Sequence, residues 1–156
     1  MGTTLTPYNS LLKYLMNGTV NLESDTIKMA LVTSDYVFDA QHDVLADVLA
    51  SPSPEVEEIA SPSNGYTTGG KEITSKSVTL VDSPALATWD ALDLTWTALT
   101  ATFRYGIIYS EKSVGSPAVV NPLIGCVLFN DTPADISVAG IDFINQWNPN
   151  GILTQG

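Results

Sequence analysis

The chain has very little positive charge. Six basic residues face seventeen acidic ones, for a formal net charge of −11 at pH 7. Lys13, Lys28, Lys71, Lys76, Arg104 and Lys112 are scattered singly. A surface that grips a phosphate backbone needs clustered Lys and Arg. The composition therefore argues against nonspecific nucleic-acid binding and against adhesion to an anionic membrane. Acidity of this degree keeps a free protein soluble and suits docking onto a surface with positive patches.

Cysteine and histidine are nearly missing. Cys126 stands alone, so no intrachain disulfide can form. It lies in the apolar run from Leu123 to Phe129 and reads as a small buried hydrophobe. His42 is the single histidine, and no zinc ligand set can be assembled around it; it reads as a surface residue. Gly65 and Gly69-Gly70 lack the Lys-Ser/Thr ending and following helix of a phosphate loop. No apolar run approaches the ~18 residues of a spanning helix. Met1 to Asn9 holds no basic stretch leading into an apolar one, so no secretory signal is predicted.

What is present is enough apolar material for a core. Hydrophobic residues make up 44 % of the 156, near the usual ~45–50 %. Charged residues are only 15 %, against a typical ~25 %, and Thr, Ser, Ala and Asn fill the gap. That is the surface vocabulary of a β-rich protein.

Local signals support this. Thr6 as N-cap and Pro7 at the first helical position predict a helix over 7–17. Tyr8, Leu11, Leu12 and Leu15 would form its apolar face, and Gly18 would end it in the left-handed conformation. Residues 26–33 read as a strand with Ile27, Met29 and Leu31 on one face and Ala30 and Val32 on the other. With both faces apolar, it should be central. Residues 34–64 read as an irregular excursion. Within it, Val44, Leu45, Val48 and Leu49 suggest two helical turns after an Asp43 cap, stopped by Ser51-Pro52-Ser53-Pro54.

Strands then crowd the stretch 72–147. Val78 and Leu80 are expected to point inward. Ala87, Trp89 and Ala91 alternate, as do Leu92, Leu94 and Trp96. Ala101, Phe103, Tyr105, Ile107 and Tyr109 would share one face of a single strand. Residues 122–129 read as a buried strand, and 135–147 as a less regular one. Asn148-Pro149-Asn150-Gly151 is a turn before a C-terminal tail over 148–156. The expectation is a mainly β, single-domain antiparallel sandwich or barrel of about seven or eight strands with a short N-terminal helix.

Several landmarks, taken in order, resemble a family. They are the opening helix closing on Asn17-Gly18 and the stretch Asp25-Thr26-Ile27-Lys28, running on through Ala30-Leu31-Val32-Thr33-Ser34-Asp35-Tyr36. After these come Gly65-Tyr66-Thr67-Thr68-Gly69-Gly70-Lys71, the Arg104-Tyr105 strand reaching Tyr109, and Gln146-Trp147-Asn148 with Gly151-Ile152-Leu153. In this order the chain resembles small virion structural proteins of tailed phages, some of which are capsid decoration (cement) proteins.

The resemblance implies a non-enzymatic protein of the virion, made in the cytoplasm of a bacterial host. It would bind the major capsid protein on the head exterior and stabilise subunit joints. It implies self-association as a homotrimer, no cofactor, and neither nucleic acid nor membrane as partner. A tail or baseplate position with tail proteins as partners is the alternative, and a carbohydrate-binding β-sandwich module is another. Candidate partner contacts are the non-sheet and terminal residues Tyr8, Leu12, Leu15, Tyr36, Phe38, Val44, Leu45, Ile152 and Leu153.

Other constellations have plainer readings. Trp89, Trp96, Tyr105 and Tyr109 would make a sugar platform only if exposed; large aromatics on apolar strand faces belong in the core. Asp90, Asp93, Glu111 and Asp131 supply carboxylates for glycoside hydrolysis on paper, but that chemistry needs a close pair in a cleft. Asp90 and Asp93 flank a turn, where Asp is ordinary. Asp35, Asp39, Asp43 and Asp47 recur every fourth residue without the Gly and terminal Glu of a calcium loop. Solvated charge with a helix cap accounts for them.

Overall fold

The computed structural model describes residues 3, 5–50, 58–59, 64–130, 132 and 134–156. In chain order these form β1 (Thr6–Pro7), α1 (Ser10–Met16), β2 (Ile27–Val32), α2 (Leu45–Leu49), β3 (Lys71–Glu72), β4 (Ser77–Asp82) and β5 (Ala85–Asp90). Then follow β6 (Leu94–Phe103), β7 (Tyr105–Ser110), β8 (Ser113–Val114), β9 (Val119–Val120), β10 (Leu123–Leu128), β11 (Ile136–Asn145) and β12 (Leu153–Gln155). The fold is mainly β. Seven of these strands have six residues or more, and the other five are two- or three-residue pieces that add to sheet edges or form the small β8–β9 pair.

The central sheet is antiparallel, in the order β1-β10-β7-β2-β3. Ile27, Met29 and Leu31 of β2 enter one apolar cluster, while Ala30 and Val32 enter the other. β2 therefore has neighbours on both edges and cores on both faces, as its doubly apolar pattern predicts. β3 lies close against it at Gly70: a Cβ there would sit 1.9 Å from the Met29 carbonyl oxygen, and its φ is +86°. Only glycine fits that approach.

The first cluster is closed by a second layer. The β6–β11 ribbon contributes Leu94, Trp96, Leu99 and Phe103, and the β12-β5-β4 sheet contributes Trp89. No sheet closes on itself among the described residues, so the arrangement is sandwich-like and the barrel alternative falls away. The second cluster is closed by Tyr8, Tyr36, Leu45 and Val48, all 8 % exposed or less. Residues 36–49 therefore fold back over the central sheet as its cover.

Four expectations about elements need correction. Thr6-Pro7 does not start the helix: it pairs with Cys126 and Gly125 as β1, and α1 begins at Ser10 after Asn9. Pairing with β10 takes the hydrogen bonds that a helical start would have used. The helix is also turned. Ser10, Leu11 and Tyr14 are buried, while Leu12 and Leu15 face out. Its stop is as predicted, with Gly18 at φ +75°.

The stretch 101–109 is two strands that break at Arg104. Phe103 belongs to the first cluster, and Ile107 and Tyr109 to the second, so these side chains share no face. A break resets the two-residue alternation, and counting through it misassigns everything beyond. The cap of α2 is Asp47 and not Asp43: its Oδ2 accepts the backbone N–H groups of Asp43 and Val44 at 2.9 and 3.1 Å. The Ser/Pro cluster 51–54 lies outside the described residues.

Candidate functional site: an apolar groove beside an open strand edge

The β4–β5 hairpin turns at Ser83-Pro84 and runs past the core. Val78 and Leu80, expected to point inward, are 42 % and 64 % exposed, and Val81 is 56 % exposed. β4 has one neighbour, β5, and no layer of described residues stands over its outer half. That geometry is the reason the expectation fails. Val78 and Leu80 lie on one face with Ala87 and Trp89 opposite them; Val81 and Leu86 lie on the other.

The face that carries Val78 opens into a groove of about 350 Å³. Trp89 and Leu22 are buried in its floor, with Val20, Ala87 and Leu153 around them and Leu15 at its wall. Beyond Leu15, α1 carries Leu12 and Met16 at the spacing of a single helix face, 58 % and 89 % exposed. Leu15 of the helix and Val78 of the hairpin join the groove in one apolar surface, while Val37, Leu92, Ile141 and Ile144 are exposed elsewhere on this acidic protein. Exposed apolar patches of this kind mark association sites.

The nine predicted contact residues divide sharply. Tyr8, Tyr36, Leu45 and Ile152 are buried within the chain itself, so their side chains are not surface contacts. Phe38, Val44 and Leu153 are half-buried. Leu12 and Leu15 are exposed, and only Leu15 and Leu153 reach the groove. Met16, Val78, Leu80, Val81 and Leu86 were not foreseen. A strand apolar on both faces reads as buried, and nothing in the pattern reveals a missing neighbour.

The polar candidates are occupied. Asp90 Oδ1 accepts the Ala91 N–H, and Asp93 Oδ1 accepts the Trp147 N–H, each at 2.9 Å. Glu111 is paired with Lys28, and Asp131 lies outside the described residues. Trp89, Trp96 and Trp147 are all buried. Tyr109 is buried too, and Tyr105 half-buried. No group of His, Cys, Asp and Glu among the described residues is placed to hold a metal ion. No helix among them is long and apolar enough to cross a membrane.

A buried polar chain belongs to the cover. Tyr8 and Tyr36 hydroxyls meet at 2.8 Å, and Tyr36 Oη lies 3.3 Å from His42 Nδ1. His42 is therefore half-buried within the excursion and not a fully exposed surface residue. Burial pushes the Tyr36 hydroxyl and the neighbouring Cys126 thiol up to about 12, so both stay protonated at neutral pH. Set against family models, curated proteins and solved structures, the chain matches none.

Proposed function

We propose that this is a non-enzymatic structural protein of a tailed-phage particle, a capsid decoration protein that binds the head exterior and stabilises subunit joints. The ordered landmarks support the phage setting. The assembly role rests on one observation: the groove, with Leu15 of α1 and Val78 of β4 at its walls, is an apolar surface without a cover among the described residues. Such a surface would form one part of a stable interface, which buries ~1,200–2,000 Å² in all.

Bound copies stabilise a shell by mass action, because each must leave before the joint beneath it opens. The acidic surface carries the matching electrostatic role, steering the protein toward a cationic partner. The test is addition of the purified protein to heads that lack it. New mass at regular head sites in electron microscopy, with raised heat tolerance, is the expected result. Mass only at the tail would move the protein to the tail or baseplate, and no binding to either would remove the reading.

A further inference from the structure

We propose that the outer edge of β4 receives an extended segment of a partner protein, apolar at alternate residues and carrying Lys or Arg at its ends. The proposal deepens the assembly reading above and rests on it. Two observations set the phase of the edge. The Val78 N–H donates to Glu23 Oε1 at 2.9 Å, away from β5. Trp89, directly opposite Val78, points its carbonyl the other way, to the Ile152 N–H at 2.8 Å. Val78 and Trp89 are thus a non-hydrogen-bonded pair.

Strand groups alternate with a period of two. Thr79 and Val81 therefore spend their N–H and carbonyl groups on β5, and Leu80 and Asp82 present theirs outward. Native edges are usually shielded by lysine, proline, a bulge or a covering loop. β4 has no lysine or proline, and its register with β5 runs unbroken from Ser77 to Asp82. Glu23 covers only the Val78 position. Among the described residues, the rest is an open ladder flanked by exposed Leu80 and Val81.

Charge chooses the occupant. The open edge runs between two carboxylates, Glu23 at one end and Asp82 at the other. Lys76, the cation just before β4, is held by the Ile73 carbonyl. A second copy would bring another −11 to the seam. A strand with basic ends would pair with both carboxylates. Its main chain would complete the ladder, and its alternate side chains would extend the Val78–Leu80 and Val81–Leu86 faces, as in recognition by strand addition.

The probe is a soluble peptide of alternating Val and Thr with Lys at both ends, titrated into the full chain and compared with the same peptide ended by Glu. Amide exchange at Leu80 and Asp82 should slow by at least about tenfold with the Lys-ended peptide and stay nearly unchanged with the other. Leu80→Pro removes only an outward N–H, a change that edges tolerate. It should keep the melting temperature and lose peptide binding. Should it fail to fold, Leu80→Lys leaves every backbone bond intact and sets like charge against the basic ends; it too should weaken binding.

Equal protection by both peptides, protection elsewhere, or unaltered binding by the folded variant overturns the proposal. So does a dimer of the chain alone that Leu80→Pro dissolves, since a second copy would then own the edge. Binding to phage heads is measured in parallel. Heads that bind Leu80→Pro as well as the parent overturn the edge proposal and spare the assembly reading. Peptide protection at Leu80 with no binding of the parent chain to any part of the particle overturns the phage reading and spares the edge.

Discussion

Residues 36–49 and residues 77–90 are stretches of equal length and comparable apolar content, and they end in opposite places. Tyr36, Leu45 and Val48 of the first are buried over the central sheet. Val78, Leu80, Val81 and Leu86 of the second stand in solvent. The first has weak local structure, one helix of five residues. The second is a regular hairpin in unbroken register. Regularity in the backbone therefore says nothing about which segment belongs to the core. The irregular segment is anchored by tertiary contacts: the Asn9 N–H donates to the Ala40 carbonyl, the Leu123 N–H to the Asp43 carbonyl, and the Tyr14 hydroxyl to Asp43 again. The hairpin is anchored on one side only, along β5 by β12 and at the start of β4 by Glu23.

Charge insertion gives the widest separation between the two. Val48→Asp places an unpaired carboxylate at a site with no exposure and should cost more than about 3 kcal/mol in urea unfolding. Leu80→Asp should change stability by less than about 0.5 kcal/mol. Cys126 reports the same contrast, since it lies beneath the excursion. Thiol labelling should be very slow in the parent and in Leu80→Asp, and fast in Val48→Asp. Rapid labelling of the parent would mean that the excursion is not a cover.

Proline substitution sharpens the phase of the hairpin. Thr79→Pro deletes an N–H directed at β5 and should cost about 1–3 kcal/mol. Leu80→Pro should cost well under about 1 kcal/mol. Equal costs would show that the alternation is assigned wrongly. Within the cover, Tyr36→Phe leaves the buried Tyr8 hydroxyl without its 2.8 Å partner. It should cost about 1–2 kcal/mol, and Tyr8→Phe in the same background should add little.

The smallest effect concerns the loop that joins α1 to β2 and floors the groove. Burial alone would raise the Asp25 carboxyl. Hydrogen bonds from Lys112, the Asn21 N–H and the Ser110 hydroxyl, with the Lys112 charge, outweigh it and hold the group below its ordinary value. A depressed carboxyl contributes stability above its unfolded value of ~3.9 and loses it as pH falls through the folded one. Asp25→Asn should therefore flatten the fall in stability below about pH 4 and lower stability slightly at neutral pH. An unchanged acid slope would show that this clamp does not hold the loop.

Much of the fold was legible in the residues. β2 and β10 announced themselves by runs apolar on both faces, the helix stop by Gly18, and the inward tryptophans by alternation. The exposed apolar surface was not. Leu12 and Leu15 were named for it, but with a helix face that is in fact turned outward; Met16 and the hairpin residues were missed. Whether an apolar side chain is covered depends on an element distant in sequence, and no periodicity encodes that distance.

The sequence by itself determined a β-rich, acidic chain with a single thiol, a short N-terminal helix and a doubly apolar central strand, because alternation and turn chemistry act between near neighbours. Tertiary structure alone decided that the excursion covers the central sheet and that β4 stays an open edge. Both outcomes depend on which surfaces meet, and that is settled by the competition of all apolar faces for the same two cores.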